Sequence, residues 1–375
     1  MKPPVSQVFK LSSEKNFEEA AMEIFRFQAV NNPVYSRWIN ELGVDYQRVE
    51  GINEIPFLPV SAFINHKVLV AGPEAEKVFL SSGTTGSKRS RHKVAGLRAE
   101  KVFLSSGTTG SKRSRHKVAG LRAEKVFLSS GTTGSKRSRH YVADPAVYEQ
   151  SFTQCFRIFY GEPSDYVILA LLPSYLEREG SSLVYMANGL IRLSASPLSG
   201  FFLDDYPSLE ERIKDAGHSG RKIILLGVSF ALLDFAEHTD ISLKNHIVME
   251  TGGMKGRRRE MTREELHSVL GNRFELDSIH SEYGMTELLS QAYSKGGGLY
   301  KTPPWMKVLI RDPRDPFDYF QYGRTGGVNI IDLANIYSCS FIETSDLGIA
   351  HPDGSFEIVG RFDNSDIRGC NLMTI

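Results

Sequence analysis

At 375 residues, 41% hydrophobic and 24% charged with a net charge of +1, the chain can bury a substantial core and has no bulk electrostatic pull toward nucleic acid. Its three cysteines, Cys155, Cys339 and Cys370, stand far apart without a CxxC pair, which argues against a disulfide framework or a zinc site. The N-terminal MKPPVSQVFK lacks the apolar core of a signal peptide, and the longest apolar stretch, Ile223 to Leu233, is about half a membrane span, so a cytoplasmic protein is expected.

In chain order, Asn16 with Glu19 three residues on predicts a helix cap. Phe17, Ala20, Ala21 and Ile24 then recur at helical spacing until Asn31, Asn32 and Pro33 end the run. IPFLPVSAFINHKVLV, Ile55 to Val70, mixes proline turns with an apolar run that predicts a strand at its end. The chain then spells SSGTTGSKRSRH three times, ending at His92, His116 and His140, each copy following KVFL. Glycines let backbone N–H groups turn toward an anion, hydroxyls donate further hydrogen bonds, and a lysine adds charge, so the composition suits a phosphate. It is not the common P-loop: Gly131 and Gly134 are too close together, and Ser135 separates the second glycine from Lys136.

The repeat lacks the leucine spacing of a solenoid, and its near-identical copies point to a tandem duplication of 76–123 or, equivalently, 93–140. The third copy is the expected working loop, because it runs into Tyr141, Val142 and Ala143 as a return strand and then into Asp144 and Pro145, a helix cap and first turn. The candidate anion loop is therefore Ser129, Ser130, Gly131, Thr132, Thr133, Gly134 and Lys136. The helix after it should bury Tyr148, Phe152, Phe156 and Phe159, with Cys155 in the core. Tyr166 to Leu172 and Lys222 to Leu226 read as buried strands, and Ser208 to Ala216 and Thr262 to Leu270 as helices. The fold class is α/β with parallel or mixed sheets.

Chemistry-bearing residues cluster in the second half. After a predicted strand at Phe274 to Ile279, HSEYGMTE offers Tyr283 to stack on a base, Gly284 for close backbone approach, Thr286 for phosphate and Glu287 for Mg²⁺; a plain turn has the same composition. Gly252 and Gly253 either approach something flat or turn a corner. Asp346, after Thr344 and Ser345, can accept from both ribose hydroxyls or cap a turn. Gly360, Arg361 and Asp363 come next. Cys370, beside Arg368 near the end of the chain, is either a thiolate nucleophile or an inert thiol. A competing reading takes Ser229, in the strand-to-helix string GVSFA, as a hydrolase or acyltransferase nucleophile with His246, His267, His280 or His351 as its base. That string lacks the second glycine of the G-x-S-x-G elbow.

Four of these motifs, in this order, resemble those of the adenylate-forming enzymes, which activate carboxylates with ATP, and within them the acyl-protein synthetases of bacterial bioluminescence fatty-acid reductase complexes. The resemblance implies that Gly252 and Gly253 lie along adenine, Tyr283 flanks it, Thr286 meets the α-phosphate, Glu287 binds Mg²⁺, Asp346 takes the ribose and Arg361 belongs to the hinge. It departs at Ser135, where Pro is usual, and at Ser345, where Gly is usual. It also implies an acyl-CoA synthetase-like large domain over 1–362 without the usual lid domain, and a tail, 363–375, in which Cys370 accepts the acyl group. The substrate implied is a fatty acyl carboxylate, with Leu172 to Leu190 resembling a segment near the acyl site. The final acceptor implied is a partner protein: a reductase, acyl carrier or acyltransferase. If the extra loop copies obstruct the site, the chain is instead an inactive adenylation-fold binding protein.

Overall fold

The computed structural model of the chain describes residues 5–72, 125–128, 138–172, 180–252, 259 and 261–362. Continuous apolar runs build its centre. Tyr166–Leu171, Lys222–Val228 and Ile247–Thr251 are strands buried almost throughout, as parallel strands covered by helices on both faces must be. They pair in parallel, with Gly200–Phe202 at one edge and His280–Tyr283 after Ile247–Thr251. Beyond His280–Tyr283 the ladder turns antiparallel through Ala292–Ser294, Tyr300–Lys301, Phe356–Arg361, Phe341–Ala350, Gly326–Asp332, Met306–Arg311 and Tyr319–Phe320. Leu58–Pro59 adds a parallel pairing to Phe341–Ala350. The mixed α/β sheet expected from the sequence is thus present, with the carboxyl ends of its parallel strands gathered on one side, where open α/β sheets bind ligands.

Helices cover this sheet. Asp144 caps Pro145–Tyr160 by accepting from the Ala146 N–H at 3.0 Å, and the helix buries Tyr148, Phe152, Cys155, Phe156 and Tyr160. Tyr160, not Phe159, is the last residue on the buried face. Cys155 is fully buried and its thiol lies well above its ordinary pKa because burial disfavours the thiolate, so it is an inert core residue. Ser182–Ser194 approaches so closely that a Cβ on Gly189 would lie 2.4 Å from the Phe152 ring. That contact explains a mid-helix glycine that otherwise costs about 1 kcal/mol. Tyr206–Gly217, Ser229–His238 and Arg263–Phe274 complete the set around the parallel half. Among the described residues no helix is long and apolar enough to cross a membrane.

Three local expectations are corrected. Ser13, not Asn16, caps the helix Glu14–Asn31, its hydroxyl accepting from the Asn16 N–H; Asn32 then caps Pro33–Glu41. The apolar Val68, Leu69 and Val70 are buried without forming a strand, because their backbone bonds an irregular turn: Val70 N–H donates to Tyr337 O at 2.9 Å and Ser338 Oγ to Val68 O at 2.9 Å. Phe274 to Ile279 is not a strand either. The helix capped by the Thr262–Glu265 box runs on to Phe274, which is fully buried, and Glu275 leaves it at φ +58° before the strand begins at His280.

Two further connections matter, one local and one between segments distant in the chain. Lys125–Leu128 pairs antiparallel with Arg139–Val142, setting Phe127 opposite His140. Buried Gln28 ties the N-terminal helix to the turn 335–340, donating to Asn335 O and Ile336 O at 3.0 and 2.9 Å and accepting from Ser340 N–H at 2.9 Å. With all of these bonds made, the glutamine is a satisfied core residue.

Candidate active site

At the carboxyl edge of the parallel strands stand Ser229, which follows Lys222–Val228, Gly252, which follows Ile247–Thr251, and Tyr283, which ends its strand. The antiparallel half contributes Asp346, directly opposite Arg361 in register. The Tyr283 hydroxyl donates to Asp346 Oδ2 at 2.7 Å, and Arg361 Nε donates to Asp346 Oδ1 at 2.7 Å. Asp346 is 4% exposed, and its own N–H donates to Thr344 Oγ1 at 3.0 Å. Burial first, and then Asp346, hold the Tyr283 phenol well above its ordinary pKa, so it stays a donor. The Tyr283 ring packs edge-on against Tyr300 and Phe356, at centroid distances of 5.9 and 5.8 Å, and those two rings stack on each other at 5.4 Å.

Glu287 joins this group. It is 5% exposed; burial raises its pKa, while the Ser138 hydroxyl donating to Oε1 and the nearby Arg361 charge lower it. Next to it, fully buried His140 bridges Thr286 O (2.8 Å from Nδ1) and Asn335 Oδ1 (3.0 Å from Nε2), while Asn335 Nδ2 donates to Glu287 O at 2.7 Å. Burial pulls the His140 pKa down to about 4 against those two contacts. Buried Asp332 fixes the segment after Glu287, accepting from Leu289 N–H at 2.8 Å, Ser290 N–H at 3.0 Å and Ser290 Oγ at 2.6 Å. The end of the third loop copy, Ser138 and His140, therefore touches both Glu287 and Thr286.

Two solved structures share this architecture. An open conformation of 2-hydroxyisobutyryl-CoA ligase, in complex with 2-HIB-AMP and CoA, matches with a TM-score of 0.60 over 94% of this chain and 70% of that one, at 11% identity. ATP-bound MatB from Rhodopseudomonas palustris matches with a TM-score of 0.50 over 63% of this chain and 47% of that one, at 16% identity. The fold is that of the adenylate-forming enzymes. The chain spans about half the length of MatB. No protein-family model matches the sequence, and no curated protein matches it either.

Within the adenylate-forming fold, Tyr283, Gly284, Thr286, Glu287, Asp346, Arg361 and Gly252 lie among the described residues. Tyr283, Asp346 and Arg361 are directly bonded; Glu287 feels the charges of Asp346 and Arg361. Gly252, at φ +71°, turns the chain out of the preceding strand through the left-handed region. Ser129, Ser130, Gly131, Thr132, Thr133, Gly134, Lys136, Gly253 and Cys370 lie outside the described residues, as do the first two loop copies. Ser229 is not a nucleophile of the hydrolase kind. It is 1% exposed, its hydroxyl donates to Glu250 Oε2 at 3.0 Å and Gly252 O at 2.8 Å, and among the described residues no imidazole hydrogen-bonds it. Ser138, His140, Asn335 and Asp332 were not singled out as site residues. His140 had a visible signal, since each loop copy ends in histidine; Asn335 and Asp332 had none, being polar residues in an otherwise apolar stretch.

These residues fit MgATP. Each Asp346 carboxylate oxygen accepts one bond, from Tyr283 or from Arg361, and keeps a further lone pair for a hydroxyl. Burial opposes ionisation of Glu287, and a divalent cation would relieve that cost. Among the described residues no three His, Cys, Asp or Glu side chains gather as a metal cage; Glu287 is the carboxylate that would hold a divalent cation here.

Besides Asp332, the buried carboxylate Glu282 carries no signal in the sequence. Glu282 is 7% exposed, accepts from Thr251 Oγ1 at 2.5 Å, and crowds Gly284, where a Cβ would sit 2.5 Å from Glu282 Oε1. Burial raises its pKa to about 7, against the Thr251 bond and helped by Glu250. A carboxyl whose folded pKa is raised contributes stability that is present below its unfolded value and is lost as pH rises to the folded one. Wild type should therefore lose on the order of 3 kcal/mol relative to Glu282→Gln between pH 4.5 and 7, read from urea denaturation of both proteins across that window.

Proposed function

We propose that the chain activates a carboxylic acid with ATP, forming an acyl-adenylate and releasing pyrophosphate, and then passes the acyl group to Cys370 as a thioester for delivery to a partner protein. The observation that carries this reading is the bonded trio Tyr283–Asp346–Arg361 standing beside Glu287, with Ser138 of the third loop copy on the Glu287 carboxylate. The fold supports it too. The 2-hydroxyisobutyryl-CoA ligase of similar architecture is bound to 2-HIB-AMP and CoA, and an acyl-AMP is the product of the first proposed step.

In that step a carboxylate oxygen attacks the α-phosphorus and the bond to the pyrophosphate oxygen breaks. Asp346 orients the ribose, and the phenol of Tyr283, held by Asp346, lies against adenine. Glu287 holds the metal, which neutralises phosphate charge when bound, and the loop Ser129, Ser130, Gly131, Thr132, Thr133, Gly134 with Lys136 supplies donors to the departing phosphates. Thr286 meets the α-phosphate, and Gly252 and Gly253 give the base a flat edge. In the second step the Cys370 thiolate attacks the acyl carbon and AMP leaves with the bridging oxygen. A fatty acid is the substrate proposed, with residues 1–362 as the adenylation unit and 363–375 as the carrier of the thiol.

Pyrophosphate exchange into ATP, dependent on added carboxylic acid, tests the first step; its absence across short- and long-chain acids favours a binding protein on an inactive adenylation fold. Cys370→Ala tests the second. It should retain exchange at the wild-type rate and form no acid-stable radiolabelled acyl-enzyme. Label that persists in the variant removes Cys370 as the acceptor.

A further inference from the structure

A cleft of about 440 Å³ opens at the other edge of the parallel strands, where they begin, and the proposed activity does not use it. Lys222 and His280 are the first residues of their strands and His246 immediately precedes Ile247–Thr251, so the topology brings all three to this edge. Lys244 and Lys295 complete a basic lining. All three lysines are exposed, and among the described residues none of their ammonium groups has a carboxylate within the 4.0 Å of an ion pair. In a chain of net charge +1 this is a local concentration of positive charge.

The imidazoles are set as donors. The Ile223 N–H donates to His246 Nδ1 at 3.3 Å, which places the proton of the neutral ring on Nε2. The hydroxyl of Tyr160, 9% exposed, stands 3.1 Å from His280 Nδ1 and fixes the same tautomer when it donates. Lys295 Nζ lies 5.5 Å from the centroid of the Tyr160 ring. Burial, then Lys295, Lys222 and His267, pull His280 down to about 4, and burial with Lys222 lowers His246. Cationic and neutral donors from four separate segments thus surround a space within the roughly 300–1,000 Å³ of small-molecule sites. Asp277 and Glu275 also line the cleft. They would repel a bare anion at that end but accept hydrogen bonds from hydroxyls.

We propose that this cleft binds a small hydroxylated phosphate ester, its phosphate held by Lys222, Lys295 and the Nε2–H groups of His246 and His280, and its hydroxyls turned toward Asp277 and Glu275. Multiple donors converging from different directions suit a tetrahedral dianion better than a planar carboxylate. The assignment is independent of the nucleotide reading, because the ligand lies at the opposite edge of the sheet, although His280 starts the same strand that ends in Tyr283.

The test tracks the His280 Cε1–H resonance against pH by NMR, with glycerol 3-phosphate as the probe. In the wild-type chain a bound dianion offsets the lysines, so the His280 pKa should rise saturably by about one unit. The Lys222→Ala, Lys295→Ala double variant removes two exposed side chains. It should start from a higher His280 pKa and show no further rise with the probe. An unchanged wild-type titration overturns the proposal, and so does an equal rise in the double variant. In a second arm, binding to phosphatidylglycerol vesicles without a response to glycerol 3-phosphate would assign the basic edge to a lipid headgroup and overturn the small-ligand site.

Discussion

Glu287→Gln should lower carboxylate-dependent ATP–pyrophosphate exchange by roughly 10²–10³-fold, the usual cost of removing one group that stabilises charge in a transition state. The amide keeps the shape and still accepts from Ser138, so the loss is confined to the charge that would hold Mg²⁺. The same substitution should not destabilise the fold. Burial raises the Glu287 pKa, so its ionised form costs stability as pH rises through the folded value, and a neutral amide removes that cost. Lost exchange together with an equal or higher melting temperature at pH 8 would therefore separate a role in chemistry from one in folding. Exchange near the wild-type rate would remove Glu287 from the site.

Asp346→Ala should act on both binding and fold. It strips the acceptor from the Tyr283 hydroxyl and the anionic partner from Arg361, and the alanine cannot orient a ribose. A donor left unsatisfied in a largely buried setting costs about 1–3 kcal/mol, to be read as a lower urea midpoint. The KM for ATP should rise, with kcat/KM for exchange falling roughly 10²-fold, since hydrogen bonds to a charged group contribute about 1.5–3 kcal/mol. Arg361→Ala should be milder in stability, because the Arg361 side chain is 65% exposed and solvent screens its half of the pair. A KM for ATP unchanged in Asp346→Ala would mean that the carboxylate serves only to fasten Tyr283.

Much of this arrangement was legible because its signals are local. The apolar runs at Tyr166–Leu171 and Lys222–Val228 have no polar face to offer solvent, so they read as covered parallel strands. Asp144 and Pro145 announce their helix by cap chemistry. Tyr283, Glu287, Asp346 and Arg361 were found as motif residues, but their mutual bonds depend on sheet register that no short string encodes. Local pattern also misled where tertiary contact decided. Val68 to Val70 are apolar because they are buried under the 335–340 turn, not because they form a strand, and Phe274 and Leu276 imitate strand alternation across a helix end that left-handed Glu275 makes. Glu282 and Asp332 were invisible for a related reason: a lone acidic residue reads as surface unless the partners that satisfy it are known.

The central claim is that a carboxylate oxygen attacks the α-phosphorus of ATP, and the fate of that oxygen tests it most directly. With a carboxylic acid labelled with ¹⁸O at both carboxyl oxygens and MgATP, the wild-type chain should release AMP carrying one ¹⁸O, measured by mass spectrometry. Unlabelled AMP would mean that an oxygen other than the carboxylate's ends on the α-phosphorus, and ADP that the attack falls on the γ-phosphorus; either would contradict the account.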